Sequence, residues 1–256
     1  MAPKIAIVYY STWGHVAKLA QAEAEGIKAA GGTADLFRIQ ETLSAEVLAK
    51  MKAPSQEASG VPVLTDPSQL EVYDAFLFGI PTRLGNFPAQ WRTFWDLTGK
   101  QWFAGSFWVC YASLLSFWES ALADNEVAYQ GKYAGLFVST GGQGGGQEST
   151  ALASMSTLAH HGMIYVPLGY KPVFKQLTDL SEVHGGSPWG AGSFADNNGS
   201  RPPSAFELEI AREQGKAFYE LVSRVSFAQP NGPLEQAPIA ANEEANTVQE
   251  HAAASH

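Results

Sequence analysis

The amino-acid sequence predicts an α/β protein, a doubly wound, five-stranded parallel sheet with helices on both faces. Two observations carry this. Apolar, β-branched runs alternate along the chain with segments of helical periodicity, the pattern of successive strand–helix–strand units. The residues with unusual chemistry follow directly after the first, third and fourth of those runs, at the strand ends where open α/β sheets bind their ligands. The composition agrees: 256 residues, 45% of them apolar and 16% charged, can bury a sizeable core.

Each element has its own signal. "KIAIVYY" reads as a buried first strand, and the helix after it places Val16, Leu19, Ala20, Ala24 and Ile27 at helical spacing. "TADLFRI" (33–39) is the second strand, and "SAEVLAKM" a short helix with Ser44 as its cap. The polar, proline-bearing stretch from Ala53 to Leu70 reads as loop. "YDAFLFGIPT" (73–82) is the third strand, stopped by Pro81, and 88–99 a helix with Gly99 suited to its C-terminal cap. "KYAGLFVST" (132–140) is the fourth strand, 148–162 a helix ended by Gly162, and "MIYVPLGY" the fifth strand. The last helix, 203–225, carries Ser204 and, three residues later, Glu207, a capping box. Right-handed crossovers leave few strand orders, 2-1-3-4-5 among them.

Charge and cysteine content exclude several function classes. A net charge of −9 argues against a nucleic-acid partner. One cysteine, Cys110, excludes an internal disulfide and any multi-cysteine metal site, so no metal is expected. No apolar signal region and no stretch long enough for a membrane span is present, which predicts a cytoplasmic protein without an integral membrane segment. Residues 1–227 read as one domain and 228–256, with four glutamates and no Lys or Arg, as a disordered acidic tail.

The chemistry gathers in three loops. After strand 1 comes "STWGHV": a turn opening a helix aims unpaired N–H groups and the positive dipole end at an anion, Ser11 and Thr12 add hydroxyls, and Gly14 permits close approach. The Gly-Lys-Ser/Thr element of ATP-hydrolysing loops is missing. After strand 3, "IPTRLGNFP" (80–88) offers Thr82, Asn86, close backbone at Gly85, and the cation Arg83. After strand 4, "STGGQGGGQE" (139–148) has five glycines in six positions. An anion cradle and two close-approach loops on one sheet edge fit a flat, phosphorylated cofactor, FMN.

The motifs "YYSTWGHV", "GIPTRLGNFPAQWRTFWDLTG", "FVSTGGQGGGQEST", "LAHHGMIYVPLGY" and "GGSPWGAGS" occur in the same order in the WrbA family of flavodoxin-like NAD(P)H:quinone oxidoreductases, which the chain resembles over residues 3 to 227, in its fungal form especially. The resemblance implies a flavodoxin-like fold, a homotetramer with one FMN per subunit, and hydride transfer from NADH or NADPH through FMN to a quinone, with ping-pong kinetics. It implies that Ser11, Gly14, His15 and Val16 hold the phosphate. Pro81, Thr82, Arg83, Leu84, Gly85 and Asn86 would line the ribityl chain and ring, and Ser139, Thr140, Gly141, Gly144 and Gly145 would close over them. It places His161 at the flavin's pyrimidine side and Trp102 on the wall of a shared substrate pocket. His160 reads as a helix-end partner, Trp91, Phe94 and Trp95 as core or interface, and Trp189 as either interface or rim. Two other activities fit the same fold: a one-electron flavodoxin carrier and a non-catalytic scaffold or regulator.

One segment interrupts the family pattern. "VCYASLLSFWESALADNEVAYQ" (109–130) stands between "TGKQWFAGSFW" and "GKYAGLFVST". Its ends can be encoded as a splice donor (GTATGT) and an acceptor (CAG), with a branch point (GCTGAC) at Ala123-Asp124, so it reads either as a translated intron or as a lineage-specific loop.

Overall fold

The computed structural model describes residues 2–54, 59–107 and 131–227. The acidic tail and the interrupting segment, with Cys110, fall outside the described residues.

The first strand β1 (Ile5–Tyr9) is buried at every position and pairs in parallel with β2 (Ala34–Ile39) and with β4 (Ala75–Pro81). β5 (Tyr133–Thr140) lies beside β4 in the register Ala75↔Tyr133 to Pro81↔Ser139, so the carboxyl ends of both strands finish level. The α/β class and the order 2-1-3-4-5 of the five predicted strands therefore stand, within a larger sheet. Among the described residues, seven strands run in the order β3 (Val63–Leu64), β2, β1, β4, β5, β6 (Ile164–Tyr165), with β7 (Gly192–Phe194) also on β5.

Two differences from the expected sheet have simple causes. The stretch read as loop adds a two-residue edge strand, β3 (Val63–Leu64), beside Arg38 and Ile39, and a 3-10 turn at Pro67–Leu70. The fifth strand is divided: β6 (Ile164–Tyr165) pairs with the amino end of β5, and β7 (Gly192–Phe194) pairs with its carboxyl end. "VPLGY" leaves the sheet, and the chain returns through a glycine-rich segment with no strand periodicity.

The helices cover both faces: α1 (His15–Ala29), α2 (Ala45–Lys50), α3 (Ala89–Leu97), α4 (Gly99–Ala104), α5 (Gln147–His160), α6 (Phe174–Thr178) and α7 (Ala205–Val222). Ser44 accepts from the Val47 N–H, and Ser204 and Glu207 form the full capping box. Gly99 is not a cap. Thr98 ends α3, α4 begins at once, and Gly105 in the left-handed region closes it. Two apolar cores lie on opposite sheet faces. One is built on α1 and α7 with Ile5, Ile7 and Phe137; the other on Phe76, Phe78, Trp91 and Phe94. Trp91, Phe94 and Trp95 thus pack internally. α1 and α7 pass so closely that a methyl group on Gly215 would lie 2.1 Å from the Glu23 carbonyl oxygen. Among the described residues, no helix is long and apolar enough to cross a membrane.

Candidate functional site

The three loops meet at the carboxyl edge of the sheet. Gly14 sits at φ 91°, ψ −4° as the N-cap of α1, donates its N–H to Ser11 Oγ (3.1 Å), and no side chain caps the helix. Helix geometry leaves the first-turn N–H groups without intrahelical acceptors, and a side-chain carbon on Gly14 would meet nothing within 4 Å. The cradle is therefore formed and open. The His15 ring is committed elsewhere: its Nε2 lies 2.9 Å from the Arg201 carbonyl, and burial lowers its pKa. Val16 is in the core. Both can serve an anion only through their backbone N–H groups.

The β4 loop is a tight reversal. Arg83 and Asn86 exchange backbone hydrogen bonds of 2.9 and 3.0 Å, with Leu84 and Gly85 between them at φ 53° and 73°. Two consecutive positive φ values are those of a type I′ turn; leucine adopts such a conformation only under strain. The Leu84 side chain is fully exposed at the tip. Arg83 turns back over the cradle, donating to Thr12 Oγ1 (3.1 Å) and to the Thr82 carbonyl (2.8 Å), with its guanidinium carbon 5.7 Å from the Trp13 ring centroid. It brings the site's cation beside the anion mouth.

The glycine loop closes against this turn. A methyl on Gly146, at φ 98°, would stand 2.8 Å from the Gly85 Cα. Thr82 Oγ1 lies 2.7 Å from Thr150 Oγ1, and the Thr82 N–H donates to the Ser139 carbonyl at 2.9 Å. Ser139 and Thr140 are buried, their hydroxyls engaged with Ser193 and the Gly142 carbonyl. Gly141, Gly144 and Gly145 are exposed, so backbone rather than side chain faces an approaching ligand.

His161 and Trp102 do not join these loops. α5 starts at Gly146 on the carboxyl edge, and its 14 residues carry the chain about 21 Å to the opposite edge. There Ile164 pairs with Tyr133, the first residue of β5. His161 is buried at that edge, Nε2 2.9 Å from Thr98 Oγ1 and its ring against Trp95 and Phe107; burial, and secondarily His160, lower its pKa. Its Nδ1 has no partner among the described residues. Trp102 stands half exposed beside the same edge, one helical turn past Thr98, and His160 is exposed. Within one chain neither His161 nor Trp102 reaches a cofactor held in the cradle.

Several organising residues carry no motif signal. Gln147 accepts from the Gly186 N–H (2.9 Å) and donates to the Ser193 carbonyl (3.0 Å), fastening the glycine loop to "GGSPWGAG". That signature is packing: a methyl on Gly190 would overlap the Leu136 carbonyl oxygen. Trp189, left open between interface and rim, stacks on Tyr165 at 6.1 Å. Glu41 accepts from Tyr10 OH, Gln90, Thr42 N–H and Leu43 N–H; burial pushes its pKa up, and these four hydrogen bonds together bring it below the ordinary value. Only their placement in space reveals these roles.

Comparison with known proteins agrees with this geometry. The family model for NADPH-dependent FMN reductases matches residues 3–176. The chain is 60% identical over 227 residues to Minor allergen Cla h 7 of Davidiella tassiana, covering 89% of this chain and 100% of that protein. It is 50% identical over 224 residues to NAD(P)H quinone oxidoreductase PST3 of Candida albicans, covering 88% and 100%. The fold is also that of a WrbA-like flavodoxin from Agrobacterium tumefaciens, with a TM-score of 0.54 at 20% identity, covering 88% of this chain and 99% of that one. An uncapped helix terminus, a cation beside it and two close-approach loops stand on a flavodoxin-like fold, and the matched model and relatives give the family: the protein belongs to the NADPH-dependent FMN reductases.

Proposed function

We propose that this protein is an FMN-dependent NAD(P)H:quinone oxidoreductase that reduces quinones by two electrons. The observation that carries the reading is the open N-terminus of α1 with Arg83 held beside it, facing two loops that present bare backbone. FMN, when bound, supplies the centre that takes a hydride from NAD(P)H and passes it to the quinone. The first-turn N–H groups of α1 and the Ser11 and Thr12 hydroxyls hold its phosphate. Arg83 offsets negative charge in the pocket, and the rigid Arg83–Asn86 turn fixes the place of the ring. The glycine loop closes over it and excludes water.

His161 and Trp102 enter this reading through assembly. The edge that carries them also exposes Leu97, Phe103 and His160. A homotetramer in which this edge covers the cradle of a neighbouring subunit supplies the Trp102 wall in trans. The partner-facing histidine is then His160, with His161 beneath it as a support.

The test is direct. Purified protein reconstituted with FMN should show a flavin spectrum, reduce benzoquinone with NADH or NADPH, and give parallel double-reciprocal plots. Protein that stays colourless after FMN addition would overturn the reading and favour a scaffold; flavin binding without NAD(P)H-dependent turnover would favour a one-electron carrier.

A further inference from the structure

The turn after β7 carries a chemistry that the cradle itself does not use. Asn198 is exposed, and Gly199 follows it at φ 74°. An asparagine before glycine can close on its own main chain, because no side chain at the next residue obstructs the amide nitrogen. Asn86 differs: it is followed by Phe87, whose N–H already donates to Asn86 Oδ1 at 2.8 Å. The Gly199 N–H is held loosely, reaching the Asp196 carbonyl only at 3.4 Å. The Ser200 N–H donates to Asn198 Oδ1 at 3.0 Å, and that oxygen gains negative charge when the ring closes.

The step balances with water as its only co-reactant. The Gly199 nitrogen, deprotonated in alkaline solution, attacks Asn198 Cγ. The Cγ–Nδ2 bond breaks and ammonia leaves, which gives a succinimide. Water then opens the ring. Opening at Cγ leaves an aspartate; opening at the main-chain carbonyl carbon leaves an isoaspartate, in which the main chain runs through Cβ and Cγ.

What this turn holds gives the change its effect. Residues 196–200 are pinned at both ends. The Ala195 N–H donates to the Thr140 carbonyl at 2.8 Å, and the Arg201 N–H to the Ala195 carbonyl at 3.1 Å. The Arg201 carbonyl lies 2.9 Å from His15 Nε2, and a methyl on Gly199 would stand 3.2 Å from Trp13 Cγ. Trp13 and His15 flank Gly14, and the Arg83 guanidinium lies over the Trp13 ring. An isoaspartate adds one carbon to the main chain of this short closed turn, so Gly199 and the Arg201 carbonyl cannot both keep their places. We propose that Asn198 is a self-modification site whose conversion to isoaspartate removes the brace from the phosphate cradle, so that flavin affinity declines with the age of the molecule. The flavin consequence rests on the oxidoreductase reading; the modification and the loss of the brace do not.

Ageing the full chain tests it. A second Asn-Gly pair, Asn231-Gly232, lies outside the described residues and serves as an internal clock. Flavin-free protein is held at mildly alkaline pH and mapped by peptide mass spectrometry after isoaspartyl methylation. Isoaspartate should accumulate at position 198. In the aged protein, amide hydrogen exchange at residues 12–16 should quicken, and FMN should bind at least about tenfold more weakly, the scale of one lost hydrogen bond and its packing. Asn198→Gln, whose longer side chain closes the ring poorly, should keep both properties through the same ageing. Asn198→Asp puts the new charge on an unaltered main chain and should bind FMN within about threefold of wild type, since an exposed charge is screened. An unmodified Asn198 in a chain whose Asn231 has converted overturns the proposal. So does isoaspartate at 198 with unchanged exchange at residues 12–16, or a loss of FMN affinity that Asn198→Gln shares. Quickened exchange in a protein that takes up no FMN even when fresh would sustain the brace and sink the oxidoreductase reading alone.

Discussion

The ammonium of Lys132 lies 5.5 Å from the ring centroid of Phe107, so two residues on either side of 108–130 in the sequence stand within one side chain's reach of each other. Lys132 also donates to the carbonyls of Glu71 and Tyr73, which anchors the start of β5 independently of the intervening residues. Deleting Val109 to Gln130 should therefore leave the Ala75↔Tyr133 register and the melting temperature intact. Because that stretch adds the apolar Leu114, Leu115, Phe117 and Trp118 to the chain shortly after Trp102, the deleted form should sediment as a firmer tetramer with higher quinone turnover. Equal mass and equal turnover would show that the stretch is harmless.

Gly14→Val tests the cradle. The site is sterically empty, but φ 91° is a conformation that a β-branched residue adopts poorly. We expect a stability loss of about 1–2 kcal/mol and a loss of FMN affinity of at least about tenfold, read by flavin fluorescence quenching. Unchanged flavin affinity would remove the cradle from this loop.

Gly146→Ala should separate the glycine loop from the Arg83–Asn86 turn. The added methyl collides with the Gly85 Cα, and the residue must also hold φ 98°. The expected result is a folded protein with slower flavin uptake and faster flavin release, measured by stopped flow.

Glu23 makes a pH prediction. It is fully buried between α1 and α7, both carboxylate oxygens lack partners among the described residues, and burial raises its pKa well above the ordinary value. The folded state therefore holds a proton that the unfolded state releases near pH 4.5, so stability falls as pH rises from there towards the folded-state pKa. Glu23→Leu should remove that decline and stabilise the protein at neutral pH by about 1–3 kcal/mol. A melting temperature with the same pH slope in both proteins would contradict this.

Mixing can test assembly. Trp102→Ala leaves the cradle intact, whereas Gly14→Val leaves the Trp102 edge intact. Each variant alone should be impaired, and dissociated and reassembled mixtures should recover part of the activity if the edge of one subunit completes the cradle of another.

The sheet was legible because buried parallel strands are continuous apolar runs bounded by glycine and proline. The cradle was legible because hydroxyls and glycine stand where a strand feeds a helix. The divided fifth strand was not: Gly192–Phe194 has three residues and no alternation, and only its pairing with Val138–Thr140 makes it a strand. "LAHHG" was legible as a motif but not as a place. The length of α5 sets that place, carrying His161 away from the loops that begin the same helix.

Glu207 accepts from the N–H groups of Gly185, Phe194 and Ser204 and pairs with Arg201, whose carbonyl in turn meets His15 at the start of α1. The first loop of the chain is thus braced by its last helix, and the strand that completes the carboxyl end of β5 arrives only just before that helix. A ribosome-bound chain emerging amino end first has made its phosphate turn long before it owns the parts that hold the turn in shape. Cofactor capture therefore belongs after synthesis rather than during it, and truncations that reach into α7 should give apoprotein even though every cofactor-facing loop is still encoded.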